Sequence, residues 1–453
     1  MATKEALKKK VCEAIDRRQE KIESIGDTIM RNPELGFKEH RTARVVSDLM
    51  AEFQIPHQTG LAITGVKGTL QAKIPGPTLA LIGELDSLMV PDHPMADPET
   101  GAAHACGHNG QIAGLMGAMM GLVDAGAVDF LAGNIVFFAV PAEEYIEVEY
   151  RVSQVKAGKL GLLGGKPELI RLGHFDDVDM AMMIHGHSRP DLKKVIMGKS
   201  SNGCVVKLVR FLGKAAHAGS SPHEGINALN AAHIALAAIH AQRETFRDHD
   251  TIRVHPIITR GGDTVNVVPS EVTLETFVRG RTIEAFTDAN SKIDRALRAG
   301  AMAMGAKVEI QTIPGYMPLT NDPEMIQIFQ QNAEILFGGD EYMEGGHGTG
   351  STDMGDISLL MPAIHPGLGG AIGTSHGMDY EITDKQLTYC GTAKLLAMTA
   401  IDMLHGDAEE GKRIIKDFEP VMTIEQYITH QQQAFRTEMF DGATGTSETT
   451  EAG

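Results

Sequence analysis

Three short apolar runs in this chain end in clusters of acids and histidines. LALIGELDS (79–87), NIVFFAVPAEE (134–144) and DMAMMIHGH (179–187) begin as strands and finish in Glu84 and Asp86, in Glu143 and Glu144, and in His185 and His187. Continuous apolar runs of this length belong to strands buried on both faces. Between the first two lies NGQIAGLMGAMMGLVDAG (109–126), apolar at helical spacing. Strands alternating with helices predict an α/β sheet covered on both sides. In such sheets ligands bind beyond the carboxyl ends of the strands. The loop after residue 103 adds His104, Cys106 and His108 to those ends, and AIGTSHGMDY (371–380) adds His376.

The remaining pattern divides the chain. Residues 4–30 read as a charged, exposed opening helix, RNPELGFKEH (31–40) breaks it at Pro33, and RTARVVSDLMAEF resumes a helical period. From 200 to 312 the order is strand, helix, strand, strand, helix, strand, that of a ferredoxin-like α+β sandwich. The α/β pattern returns near 320 and closes with a helix near 384–404. The expectation is a discontinuous α/β domain, 1–199 and 313–453, interrupted by a smaller α+β domain, 200–312. The polar tail DGATGTSETTEAG (441–453) reads as disordered. The segment YIEVEYRVSQ, directly after PAEE, matches no pattern.

Composition removes several function classes. Acidic residues outnumber basic ones 59 to 41, for a net charge of −18, and such a surface repels phosphate backbones, so no nucleic-acid partner is expected. No apolar run of about 18 residues exists to span a bilayer. The four cysteines are scattered without a CxxC pair, and the N-terminus is too charged for a secretory signal. The expected compartment is the cytoplasm.

Thiol, imidazole and carboxylate together suit zinc or manganese, whereas calcium or magnesium would want oxygen alone. Cys106 and His108, two apart on a loop, can both face one ion. Glu143 and Glu144 are adjacent, so one ligates while the other takes a proton from water activated by the ion. Two rivals use the same residues: a metal-free hydrolase with Cys106 as nucleophile and His108 or His185 as base, and a non-catalytic binding protein. A pure binder has little need for a base beside a ligand.

HACGHN (104–109), PAEE (141–144), RNPELGFKE (31–39), GKAAHAG (213–219), GGDTVNVVP (261–269) and GSTDMGD (350–356) together resemble the M20 metallopeptidase/amidohydrolase family. The similarity is to its amidohydrolase subfamily, on the aminobenzoyl-glutamate hydrolase-like side, related to N-acyl and indole-acetyl-amino-acid amidohydrolases. The resemblance implies a zinc-peptidase-like mixed sheet flanked by helices, carrying an inserted lid and dimerisation domain. It implies two divalent ions, zinc or manganese, held by Cys106, His108, Glu144, His185 and His376, with Glu143 as general base. Asp86 corresponds to an acid that orients a ligating imidazole. His187 and His365 are the alternatives to His185 and His376. His217 and Asn266 match positions that reach across a dimer to steady an oxyanion. Ser351 and Thr352 in the Gly-rich segment 345–353, with Arg260 and Arg279, are candidates to bind a substrate carboxylate. The implied reaction is hydrolysis of the amide of an N-acyl or N-aroyl amino acid by a homodimer or higher homo-oligomer. Release of ammonia from an aromatic amine, as in 5-nitroanthranilate aminohydrolase, is the alternative within the family.

Overall fold

Side chains alternate across a strand, so a strand buried on both faces feeds two cores. A computed structural model, which describes residues 3–451, shows this division. In the strand Ile74–Glu84, Leu79 and Leu81 enter one core while Ala80 and Ile82 enter the other. Ile135 and Phe137 part from Val136 and Phe138 in the same way along Ala132–Val140, as do Met180 and Met182 from Ala181 and Met183.

The main sheet has six strands, in the order His57–Leu61, Gly65–Gln71, Ala132–Val140, Ile74–Glu84, Met180–Met183, Ala363–Ile364. The last four run parallel to one another and the first two antiparallel. The expected mixed sheet flanked by helices is therefore present. Among the described residues no helix is long and apolar enough to cross a membrane.

The helix His108–Asp124 is buried from His108 through Leu122. It tolerates this because small residues face its neighbours. A Cβ on Gly114 would stand 2.3 Å from Thr392 Cγ2, and one on Gly121 would stand 2.4 Å from Ile15 Cγ1. The segment 4–30, expected as one exposed helix, is two, Lys4–Arg17 and Gln19–Met30. Both are amphipathic. Leu7, Val11, Ile15, Ile22, Ile25 and Ile29 are buried in the same core as the long helix, and only the charged faces reach water.

The inserted unit runs Gly203–Leu212, Ala228–Ala241, Arg253–Val254 with Ile257–Arg260, Glu271–Gly280, Ile283–Met304, Lys307–Pro314. Its antiparallel sheet packs Val209, Phe211, Leu274 and Ile310 under the two helices, the ferredoxin-like arrangement. The tail corrects the expectation of disorder. Arg436–Asp441 and Thr446–Glu451 form a hairpin that extends this sheet beyond Lys307–Pro314. Threonines favour strands, Phe440 supplies a buried anchor, and Gly445 at φ 73° closes the turn. Residues 452 and 453 lie outside the described residues.

The glycine packing gives a stability test. Gly114→Ala adds helix propensity worth about 1 kcal/mol, yet overpacking against Thr392 is expected to leave a net loss of about 1–3 kcal/mol. A denaturant midpoint at or above the parent's would contradict the close approach.

Candidate metal centre

All four parallel strands deliver their carboxyl ends to one place. Ile74–Glu84 supplies Glu84 and then Asp86, and Ala132–Val140 leads through Pro141 and Ala142 to Glu143 and Glu144. Met180–Met183 leads to His185, and Ala363–Ile364 to His365. His108 opens the long helix, and Gly107 before it sits at φ 86°, where a Cβ would also meet Tyr380 Oη at 2.5 Å. His376 stands at φ 65° and its N–H donates to Ala105 O at 2.9 Å, which ties its loop to the HACGH segment.

Three groups of side chains here could hold a cation, each with donor atoms within 4.8 Å of one another: Cys106, His108 and His185; Cys106, Glu144 and His376; Glu84, His108 and Glu143. Cys106 belongs to two of them. Its Sγ lies 3.3 Å from His185 Nε2, and Glu144 Oε1 lies 3.4 Å from His376 Nε2. His108 Nε2 is 3.1 Å from Glu84 Oε2 and 4.0 Å from Glu143 Oε2.

The tautomers suit ligation. His108 Nδ1–H faces Asp86, whose carbonyl and Oδ1 are 3.0 and 3.2 Å away, and His185 Nδ1–H donates to Gly186 O at 2.6 Å. Both rings thereby present Nε2 to the cluster. Asp86 also accepts the Glu144 N–H at 2.9 Å, so one buried carboxylate orients two of the expected ligands.

Electrostatics point the same way. Burial disfavours a charged His108, but Glu84 and Cys106 overcome it and lift the imidazole well above its ordinary pKa. Burial, with Glu84 and Glu144 nearby, raises Glu143, and burial with Glu144 raises the Cys106 thiol. Burial and His108 lower His185 to about 4. The site thus gathers the acidic groups Glu84, Glu143, Glu144 and Cys106 around His108, His185 and His376, a donor set whose chemistry suits a divalent ion.

Beneath it lies an ion cluster that the motif spacing does not signal. Lys166, wholly buried, donates to Glu84 Oε1 at 2.7 Å and to the Asp353 carboxylate. Gln111 Nε2 donates to Glu84 Oε2 at 2.8 Å. Burial lifts Asp353 to about 6 against the pull of Lys166. Asp353 lies within GSTDMGD, but Lys166 opens an ordinary-looking helix, Gly165–Arg171.

The other expected residues are dispersed. His187 lines the cleft but joins none of the three groups, and its Nε2 is 3.2 Å from Lys194 O. His365 lines the cleft, its ring 5.7 Å from His185, but belongs to none of the three groups. His104 is buried with neither ring nitrogen bonded. His217 and Asn266 are exposed neighbours on the inserted unit, where Ala218 N–H donates to Asn266 O at 2.9 Å, and neither lines the cleft. Arg260 pairs with Asp263 at 3.2 Å on the surface, whereas Arg279, Ser351 and Thr352 line the cleft. That cleft holds about 570 Å³ between the two units, with Tyr145, Phe277, Tyr316 and His347 in its walls.

Removing Lys166 would leave Glu84 and Asp353 buried without the ammonium that lies between them. Lys166→Met is expected to cost about 3–5 kcal/mol, partly recovered by adding Asp353→Asn. Strictly additive losses in equilibrium unfolding would contradict the cluster.

Comparisons with known proteins identify relatives of the whole chain. Human Xaa-Arg dipeptidase is 29% identical over 452 residues, covering 94% of each chain. The N-acyl-L-amino acid amidohydrolase of Geobacillus stearothermophilus is 26% identical over 307 residues, 65% of this chain and 76% of that one. In fold, the chain matches an aminobenzoyl-glutamate utilization protein from Klebsiella pneumoniae with a TM-score of 0.64 at 20% identity, covering 86% of this chain and 98% of that one. It matches a dinuclear metal-binding M20 peptidase from Bacillus subtilis at 0.63 and 20%, covering 86% and 99%. The sequence model of peptidase family M20/M25/M40 matches residues 80–399. The chain is a hydrolase of that family.

Proposed function

We propose that the chain hydrolyses the amide bond of an N-acyl or N-aroyl amino acid with two divalent ions, zinc or manganese, in the cleft. The carrying observation is the sharing of Cys106 between two ligand groups, with Glu143 and Glu144 turned to different partners. Cys106, His108, Glu144, His185 and His376 would hold the ions. When bound, they supply Lewis acidity toward the scissile carbonyl and the attacking water. Glu143 takes the proton from that water and returns it to the departing nitrogen. Asp86 keeps His108 and the Glu144 backbone in place.

The cleft favours a carboxylate-bearing substrate. Among the described residues Arg279 is its one arginine, stacked at 5.2 Å over Phe277, while Glu143 and Glu144 are its only acids and belong to the metal site. A basic side chain finds no further carboxylate there, so neutral or acidic amino-acid products fit better. Metal-free thiol catalysis is disfavoured, since burial holds the Cys106 thiol protonated. Four free thiols suit a reducing compartment, in keeping with a cytoplasmic enzyme.

Exposed His217 and Asn266 serve the reaction by entering a partner's cleft. The edge strand Ile257–Arg260 pairs on one side only and, with Val265 and Val267, leaves apolar side chains in water. A homodimer formed on this unit would cover them.

Two variants test the reading together. Glu143→Gln is expected to keep its metal and to lose roughly 10³-fold or more in kcat, within the range set by removing a general base. His217→Ala is expected to be nearly inactive as well. Mixing the two should restore turnover if each cleft borrows His217 from its partner. Failure to complement, with both variants dimeric, would place the oxyanion donor within one chain. Ammonia release from an anthranilate, without amide cleavage, would reassign the reaction.

A further inference from the structure

Two stretches remain without a role: RNPELGFKE and the segment that follows PAEE. They meet at one residue. Ala142, which precedes the glutamate pair, sits at φ 51°, a conformation that alanine adopts only when its surroundings impose it. Its N–H donates to Glu39 Oε1 at 2.8 Å, and its carbonyl accepts from Arg151 Nη1 at 3.3 Å. Both side chains are buried, Glu39 wholly and Arg151 to 1% exposure.

Arg151 arises from the helix Val148–Lys156. Val148 and Val152 of that helix pack with Val206, Leu208 and Ile313 of the inserted sheet. The guanidinium turns toward the catalytic domain instead. It donates to Leu163 O at 2.9 Å and to Glu144 O, and lies 5.3 Å from the Phe37 ring and 5.4 Å from that of Tyr145. Its hydrogen bonds therefore end on carbonyls, two of them flanking Glu143. Space for it comes from Gly36, where a Cβ would stand 2.5 Å from Arg151 Nη2 and 3.0 Å from Ala142 Cβ. Gly36, Phe37 and Glu39 all belong to RNPELGFKE.

We infer that Glu39 and Arg151 are a positioning pair: they hold the N–H and the carbonyl of Ala142, one on each of its two peptides, and so fix where the Glu143 and Glu144 side chains point. The inference rests on the proposed roles of Glu143 as base and Glu144 as ligand. Adjacent residues must serve different partners here, and returning Ala142 to an ordinary φ would swing both away. The planar fork of arginine reaches several carbonyls at once, which a lysine ammonium does not.

The test compares Arg151→Lys, Gly36→Ala, Glu39→Gln and Glu39→Ala for kcat, KM, melting temperature and cobalt(II) affinity. Arg151→Lys, Gly36→Ala and Glu39→Ala are expected to lose about 10–100-fold in both kcat and cobalt affinity, with KM near the parent's. Glu39→Gln keeps an acceptor for the Ala142 N–H and should retain most activity and cobalt binding. A general structural role would lower the melting temperature without this split or this rescue. Should Arg151→Lys not fold, Gly36→Ala and the Glu39 pair decide the matter. Folded variants within about threefold of the parent in kcat and cobalt affinity would overturn the inference while leaving the metal site intact. A parent that binds no cobalt would overturn the ligand reading, and this inference with it.

Discussion

Four parallel strands buried on both faces impose the arrangement on which everything else in this molecule depends. These four share a direction, so the residues that follow them gather at one edge of the sheet. Glu84, Glu143, His185 and His365 arrive together for that reason. The long helix then brings His108 to the same edge, at the cost of packing glycines against Ile15 and Thr392.

Collecting so many carboxylates in a dry place requires compensation, and a buried lysine provides part of it. Lys166 neutralises Glu84 and Asp353 from below. Arg151 steadies the carbonyls around Glu143 without contacting a carboxylate. Burial raises Glu143 and the Cys106 thiol, and a divalent ion beside them would favour their ionised forms. The protein's own cations thus hold the scaffold, and a metal would complete the charge balance.

Much of this was legible in residue order. Strand ends rich in ligand chemistry, a helix apolar at helical spacing and the alternation of the inserted unit all carry local signals. Lys166 was not legible, because a lysine at the start of a helix is usually solvated and only the tertiary fold buries this one. Arg151 was hidden for the same reason. Local polarity also misled at both termini. The opening helices carry their charges on one face and bury the other, and the threonine-rich tail finds an open sheet edge beside Lys307–Pro314. His217 and Asn266 could be picked out by motif, but their exposed placement away from the cleft depends on how the inserted unit folds.

The central claim is that one thiol and its neighbours form a two-ion hydrolytic centre. Elemental analysis of the purified chain, with amide turnover followed before and after chelation, tests it most directly. The account predicts about two zinc or manganese ions per chain, activity lost on chelation, and recovery when metal is returned. A chain that holds no metal, yet cleaves the same amide at an unchanged rate after chelation, would contradict it.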